Sequence, residues 1–269
     1  MPTPPLSGRA AVVTGVSRRK GIGFAVASRL AAMGASLFVQ HYSPHDVEQP
    51  WGADDIDELV AALRAELVGG ARLENENLDL ALPDGADSLI ATAGDQLGHL
   101  DILICNHARS GGDGRLAEMT ADKLDAHWQV NARSTLLATR AFAAQHDGRD
   151  GGRVIWMTSG QGEGPMSGEI AYATSKAALA GITRSVADDL IDAGIVLNTI
   201  NPGPVNTGYL DEDTADRPVE VIREALTHFP TGRFGEPDDP ARLVAWLVSD
   251  EGRWVVGQVL NSEGGFRRW

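Results

Sequence analysis

The first indication of the fold is a short apolar run that passes through a glycine-rich turn into an amphipathic stretch. Residues 10–14 (AAVVT) form the apolar run, the turn carries Gly15, Gly21 and Gly23, and the amphipathic stretch extends to Met33. A strand that leads through such a turn into a helix begins a parallel sheet, and the N–H groups at the helix start suit a pyrophosphate. The alternative is a glycine-rich turn that binds nothing.

Apolar runs and helical patterns alternate along the rest of the chain. This predicts one α/β domain over residues 1–269, with an open parallel sheet and helices on both faces. Further strands are predicted at residues 36–42, 72–80, 100–105, 152–158, 196–200 and 258–261. Helices are predicted at residues 55–68, 85–97, 120–145, 172–193, 219–226 and 238–250.

Three segments carry more specific expectations. The predicted helix 120–145 is expected to be interrupted near Asn131, because an asparagine amide can bond to the helix backbone. Residues 43–54 are predicted to be a loop, and residues 208–233 a lid over a ligand.

Charge and composition exclude several classes of function. The formal net charge of −14 at pH 7 argues against nucleic acid and anionic membranes, because both attract clustered Lys and Arg. The single cysteine, Cys105, lies in an apolar run, so a buried thiol is expected. The first residues lack the apolar core of a signal peptide, and no run approaches the roughly 20 apolar residues of a membrane span. We therefore expect a cytoplasmic protein that acts on a small molecule, with no metal site.

The segment 159–176 (SGQGEGPMSGEIAYATSK) carries the candidate catalytic residues. Tyr172 and Lys176 are four residues apart, so they share one face of a helix. An ammonium beside a phenol favours the phenolate, so the Tyr172 pKa is expected to fall below its ordinary value of about 10, as acid or base catalysis near neutral pH requires. Ser159 can offer its hydroxyl to the same substrate oxygen. The alternative is a surface Tyr and Lys that merely share a helix face.

The second predicted strand ends without an acid, in residues 40–43 (QHYS), and the next acid is Asp46. An Asp or Glu at this point usually binds a ribose 2′-OH and repels a 2′-phosphate. Three cations, Arg18, Arg19 and Lys20, crowd the glycine turn. The pattern favours NADP(H) over NAD(H), and the alternative for these cations is that they are solvated loop charges.

Four further side chains are candidates for the pocket. Gln161, Glu163 and Met166 follow Ser159 closely enough to line it, although Glu163 can equally be a solvated charge. His107, after the fourth predicted strand, either lines a site or is a hydrogen-bonded structural histidine.

Taken together, these motifs resemble the short-chain dehydrogenase/reductases over the whole chain. The matching residues are Thr14, Gly15, Gly21, Ile22, Gly23, Asp79, Asn106, Asn131, Ser159, Tyr172, Lys176, Pro202, Gly203, Thr207 and residues 262–265 (SEGG). Within the family the chain is most similar to the bacterial 3-oxoacyl-thioester (3-oxoacyl-ACP) reductases. The resemblance implies a seven-stranded, doubly wound Rossmann-type sheet. It also implies a homodimer or homotetramer formed through residues 120–145 and 172–193.

The resemblance further implies hydride transfer between NADP(H) and a carbonyl or secondary alcohol. Tyr172 would give a proton to the carbonyl oxygen that Ser159 holds. Lys176 would lower the Tyr172 pKa and bind the nicotinamide ribose, and Asn131 would anchor a water for proton relay. The implied cofactor-binding residues are Gly15, Ser17, Arg18, Gly21, Ile22, Gly23, His41, Asp79, Leu80, Asn106, Ala108, Tyr172, Lys176, Pro202, Gly203, Val205 and Thr207.

Two other functions stay open, an NAD-dependent alcohol dehydrogenase of the same family and a non-catalytic NADP-binding regulator. The regulator is disfavoured because all four catalytic positions are kept. Reductases of carrier-bound substrates tend to have basic residues where this chain has Leu137 and Ala193. Together with the charge of −14, this argues against a substrate held on an acidic carrier protein.

Overall fold

The computed structural model describes residues 3–215 and 217–268, which fold as one α/β domain around a seven-stranded sheet. The strands are β1 (Ala10–Val13), β2 (Ser36–His41), β3 (Leu73–Asn77), β4 (Ile102–Cys105), β5 (Gly152–Met157), β6 (Ile195–Asn201) and β7 (Val259–Asn261). All neighbouring strands are parallel, in the order β3-β2-β1-β4-β5-β6-β7. The predicted Rossmann-type sheet is confirmed. Residues 1, 2 and 269 of the predicted domain and residue 216 of the predicted lid lie outside the described residues.

Helices connect these strands and cover both faces of the sheet. They are α1 (Ile22–Ala32), α2 (Ser43–Val47), α3 (Ile56–Glu66), α4 (Gly85–Leu97), α5 (Ala121–His127), α6 (Ser134–Gln145), α7 (Ile170–Ile191), α8 (Val219–Thr227) and α9 (Asp238–Val248). None of the helices in the described ranges is both long enough and apolar enough to span a membrane.

Each face of the sheet has its own apolar layer, because strand side chains alternate between the two faces. Val13 of β1 packs in the layer formed with α1, α3 and α9. Its neighbour Val12 packs in the opposite layer, formed with α4, α6 and α7. Strands buried on both faces are apolar at nearly every position, which explains the continuous apolar runs in the sequence. The carboxyl ends of the strands meet at one edge, where a crevice opens as the strand order reverses between β1 and β4.

Two local predictions are corrected by the structure. The segment predicted as a loop at residues 43–54 begins with a short helix, α2, because Pro44 stands in the first helical turn, where its fixed φ and missing N–H fit. The strand predicted at residues 72–80 ends at Asn77. Asp79 lies beyond it, and its Oδ1 accepts the Ala81 N–H at 2.8 Å.

The interruption expected near Asn131 is present as a π-helical turn, Trp128–Arg133, between α5 and α6. Its physical basis differs from the expected one, because the Asn131 amide bonds to other elements instead of to its own helix. It holds the main chain of Arg109 and the hydroxyl of Ser175. Such π-turns are often found at functional sites.

Candidate active site

A cavity of about 1260 Å³ opens at the carboxyl ends of the strands. Most of the predicted site residues line it: Gly15, Ser17, Arg18, Gly21, Ile22, Asp79, Leu80, Asn106, Ala108, Ser159, Tyr172, Lys176, Pro202, Gly203, Val205 and Thr207. Three predicted residues, Gly23, His41 and Asn131, do not line it. Ligand pockets are commonly about 300–1,000 Å³, so this cavity has room for a dinucleotide together with a small substrate.

Tyr172 and Lys176 lie one turn apart on α7, as the spacing predicted, with Lys176 Nζ 5.8 Å from the centroid of the Tyr172 ring. The ammonium donates a hydrogen bond to the main-chain oxygen of Met157, at 2.8 Å. Lys176 is buried, at 2% exposure, and burial lowers the pKa of its ammonium to about 8, although nearby Cys105 opposes the shift.

The expectation of a lowered Tyr172 pKa is wrong for this structure. The phenol reaches the cavity, yet the protein packed around it raises its pKa to about 12 by desolvation, and a hydrogen bond with Ser159 opposes this only in part. The ammonium of Lys176 is directed at Met157 and does not reverse the effect of burial. Tyr172 is therefore a protonated phenol at neutral pH, which suits a proton donor.

Asn131 lies behind the cavity wall and is fully buried. Its Oδ1 accepts the Arg109 N–H at 2.7 Å, and its Nδ2 donates to the Arg109 oxygen at 3.1 Å. Nδ2 also lies 2.9 Å from the hydroxyl of Ser175 on α7. Asn131 thus joins the loop after β4 to the helix that carries Tyr172.

The glycine turn forms the floor of one end of the cavity. Gly15 has φ +70°, and a Cβ there would lie 2.8 Å from the His107 Cα, so only glycine fits. Helix α1 begins after Gly21 with no side-chain cap, which leaves its first N–H groups available to a phosphate. Gly23 has a packing role instead, since a Cβ there would lie 2.5 Å from the Gly15 oxygen.

His41 does not reach the cavity because consecutive residues of a strand point to opposite faces. Its ring is buried and its Nε2 lies 3.2 Å from Asn75 Oδ1 on β3. The neighbours on either side, Gln40 and Tyr42, line the cavity instead. Gln40 supports the glycine turn directly, because its Oε1 accepts the Gly15 N–H at 2.9 Å.

Arg18 connects the glycine turn to the opposite wall of the cavity. Its guanidinium donates to the Thr207 oxygen and lies 5.5 Å from the centroid of the Trp51 ring. Burial lowers the pKa of this guanidinium, although Asp46 and Asp54 nearby oppose the shift. Arg18 therefore lies at the glycine turn, where the sequence predicted a cation.

Asp46 also lies in the cavity wall near the glycine turn, because α2 folds the chain back after β2. Burial raises the pKa of its carboxyl, and Arg18 and His45 oppose this shift. The sequence shows no acid at the strand end, but the fold places an acid beside the glycine turn.

The predicted lid contributes Tyr209, Leu210, Val221 and Ala225 to the cavity wall. An ion pair between Lys20 and Asp211 joins it to the glycine turn. The described part of this segment therefore contacts the glycine turn across the cavity.

His107 meets both of its alternatives, because it lines the cavity and is also a hydrogen-bonded structural histidine. Its Nδ1 lies 2.6 Å from Thr14 Oγ1, and its Nε2 lies 2.7 Å from Ser134 Oγ. Burial lowers the pKa of the imidazole to about 3, and the charge of Lys176 lowers it further. The ring is neutral and ties β1, β4 and α6 together. Of the other pocket candidates, Met166 lines the cavity, whereas Gln161 and Glu163 do not.

Several residues that line the cavity were not predicted from the sequence, among them Gln40, Arg109 and Asp113. For Gln40 the sequence did hold a signal. Side chains alternate between the two sides of a strand, so Gln40 and Tyr42, two residues apart at the end of β2, share a side. No spacing in the sequence relates Asp113 to Tyr172, although its carboxylate contacts the helix start that carries this tyrosine. Among residues 3–215 and 217–268, no cluster of His, Cys, Asp or Glu has the arrangement of a metal site.

Fold and site together define a nucleotide-binding oxidoreductase of the doubly wound α/β class. A family described as Enoyl-(Acyl carrier protein) reductase matches residues 15–267. An uncharacterised oxidoreductase of Bacillus subtilis is 37% identical over 96% of both chains. An NADPH-dependent aldehyde reductase-like chloroplast protein of Arabidopsis thaliana is 31% identical, covering 98% of this chain and 96% of its own.

The chain is also similar to a solved structure, that of a short-chain dehydrogenase of Burkholderia cenocepacia in complex with NADP. It is 32% identical, with a TM-score of 0.82 over 97% of this chain and 98% of its own. The chain belongs to the short-chain dehydrogenase/reductase family, and it is an NAD(P)-dependent enzyme that acts on CH–OH groups or the corresponding carbonyls.

Proposed function

We propose that this chain is an NADP(H)-dependent reductase of a small carbonyl compound, of the 3-oxoacyl reductase type. The observation that carries the proposal is the meeting of Ser159, Tyr172 and Lys176 in one cavity with an uncapped glycine-turn helix. We assign Ser159, Tyr172 and Lys176 as catalytic residues, and Asn131, the fourth residue of the predicted set, as a residue that positions them. A regulator without catalysis would have no need of this arrangement.

The proposed reaction uses these side chains in distinct roles. When bound, the nicotinamide supplies the hydride. Ser159 holds the substrate oxygen, and Tyr172, protonated at neutral pH, gives it the proton. Lys176 is an ammonium below pH 8, and its positive charge stabilises the phenolate of Tyr172 that remains after the proton has been given. Asn131 fixes the loop and helix between which the substrate lies. Most of the acceleration then comes from positioning and preorganised polar groups.

NADP(H) is the proposed cofactor. The glycine turn fits a pyrophosphate, because α1 offers uncapped N–H groups at the cavity floor. Arg18 is a half-buried cation in the cavity wall near the end of β2, where a 2′-phosphate needs one. The Burkholderia relative binds NADP. Asp46 favours the second candidate, an NAD(H)-dependent dehydrogenase, because a carboxylate beside the ribose would repel a 2′-phosphate.

The proposed substrate is a free small molecule rather than a carrier-bound thioester. The net charge of −14 would repel an acidic carrier protein, and Leu137 and Ala193 offer it no basic contact. The Arabidopsis relative is named for aldehyde reduction, which supports aldehydes as test substrates alongside 3-oxo esters.

We also propose a cytoplasmic homodimer or homotetramer. Trp128 and Ile191, on the two segments implied by the resemblance, are 42% and 41% exposed. Large apolar side chains exposed on neighbouring helices are typical of an interface. Sedimentation of the purified protein as a monomer would contradict this part of the proposal.

The test is a side-by-side fluorescence titration with NADPH and NADH, followed by turnover assays. We expect NADPH to bind at least tenfold more tightly, a difference of about 1.4 kcal/mol. A preference for NADH would support the dehydrogenase instead. Tight NADPH binding without turnover of aldehydes, ketones or 3-oxo esters would favour the non-catalytic regulator.

A further inference from the structure

Asp113, in the loop after β4, lies against the first turn of α7. Its Oδ1 accepts the Ala171 N–H at 2.9 Å, and its Oδ2 accepts the Tyr172 N–H at 2.7 Å. These are donors that a helix start leaves without internal partners. Glu169, which precedes α7, provides no side-chain cap. The cap on the helix that carries Tyr172 therefore comes from a residue 59 positions away.

The Asp113 side chain is itself firmly held. It is 6% exposed, and its Oδ1 also accepts the Gly114 N–H at 2.8 Å. The main-chain oxygen of Asp113 accepts a hydrogen bond from Lys123 Nζ at 3.0 Å. The carboxylate thus couples a fixed loop to a fixed point on α7. Hydrogen bonds to an ionised carboxylate are stronger than neutral ones, and its negative charge is favourable at a helix start.

His127 packs beside this contact. Its imidazole is 1% exposed, and its Nδ1 lies 2.9 Å from the Lys123 oxygen, so Nδ1 carries the proton that is donated there. The other ring nitrogen, Nε2, lies 4.0 Å from Asp113 Oδ2 and has no hydrogen-bond partner in the described part of the chain. The ring is edge-on to Tyr172, with centroids 6.5 Å apart.

We infer that Asp113 is a positioning residue for Tyr172, with the His127 ring packed beside both. The carboxylate fixes the first turn of α7 and so the distance from the phenol to Ser159. The inference rests on the proposed function, because Asp113 acts only through Tyr172. A misplacement of about 1 Å can lower a rate on the order of a hundredfold. A cap that served stability alone would change the unfolding temperature and leave kcat unchanged.

The experiment compares Asp113→Asn and Asp113→Ala with the wild type and with Asp125→Asn, an exposed carboxylate on α5 as matched control. Asparagine keeps the size but must turn an amide N–H₂ toward one of the two N–H donors. NADPH consumption is measured with ethyl acetoacetate, 4-nitrobenzaldehyde and 2,3-butanedione. For Asp113→Asn we expect kcat to fall at least tenfold while KM and the NADPH Kd stay within threefold. The kcat of the Asp125→Asn control should stay within twofold of the wild-type value.

An Asp113→Asn enzyme with kcat within twofold of the wild type, and with only its unfolding temperature changed, overturns the inference. If the Asp113 variants do not fold, His127→Leu takes their place, with the same tenfold loss expected and an unchanged kcat counting against us. A wild type that reduces none of the three carbonyls overturns the proposed function and this inference with it. An active wild type, an inactive Tyr172→Phe and an unimpaired Asp113→Asn overturn this inference alone.

Discussion

Lys176 donates a hydrogen bond from its buried ammonium to the main-chain oxygen of Met157, over 2.8 Å. Met157 ends β5, two residues before Ser159, and Lys176 lies one turn beyond Tyr172 on α7. The bond therefore joins the strand that leads to one catalytic residue to the helix that carries another. It also gives a buried charge a partner, without which its burial would be costly.

The buried ammonium should make stability depend on pH in a defined direction. Below pH 8 both folded and unfolded chains hold the Lys176 proton; between pH 8 and the ordinary value of 10.5 the unfolded chain holds a proton that the folded one has released. The free energy of unfolding of the wild type, minus that of Lys176→Met, should therefore rise by about 2–3 kcal/mol between pH 7 and pH 10. Urea unfolding of both proteins without cofactor measures it. A difference that stays flat across this range would contradict the burial of a charged lysine.

Cys105 should be unreactive while the protein is folded. It is 2% exposed, and burial raises the pKa of its thiol to about 12, so almost no thiolate forms at neutral pH. We expect no reaction with Ellman's reagent over an hour at pH 8 and stoichiometric reaction in denaturant. Rapid labelling of the native protein would mean that α6 and α7 open over β4.

Arg18→Leu tests the cofactor assignment at the level of one side chain. Removal of the guanidinium should weaken NADPH binding at least tenfold, about 1.4 kcal/mol, and change NADH binding less than threefold. Arg19→Leu is the matched control, because Arg19 is the exposed neighbour and does not line the cavity. Equal losses for both cofactors would assign Arg18 to the lid contact at Thr207 instead of the 2′-phosphate.

Asp46→Asn tests the opposing charge. If this carboxylate faces the cofactor ribose, its neutralisation should tighten NADPH binding about threefold to tenfold and weaken NADH binding. Fluorescence titration of both cofactors measures the change. An unchanged ratio of the two affinities would place Asp46 outside the cofactor site.

The sequence was sufficient for the sheet, because strands buried on both faces, such as β1 and β4, are continuous apolar runs between helical patterns. It also located Tyr172 and Lys176, since a spacing of four residues on a helix leaves little freedom. It failed at His41, where an error of one position in a strand reverses the side-chain direction. The Tyr172 pKa was predicted from one neighbouring charge, whereas the structure adds the desolvation that outweighs it.

Contacts between distant segments were beyond the sequence. Asp46 reaches the glycine turn only because α2 folds back after β2. Asp113 meets the start of α7 only because the loop after β4 and the helix after β5 converge at one sheet edge. Neither residue lies in a local pattern that reveals its partner, so the positions of both acids follow from the fold alone.

The most direct measurement is NADPH consumption by the wild type and by Tyr172→Phe with the three carbonyl compounds, together with the NADPH Kd of each protein. We expect the wild type to reduce at least one compound and the variant to lose at least a hundredfold in kcat, as general acid catalysis typically contributes 10²–10⁴-fold. The Kd should stay within threefold, because only the proton donor is removed. A Tyr172→Phe enzyme that keeps more than a tenth of the wild-type kcat would contradict the assignment of Tyr172 as the proton donor.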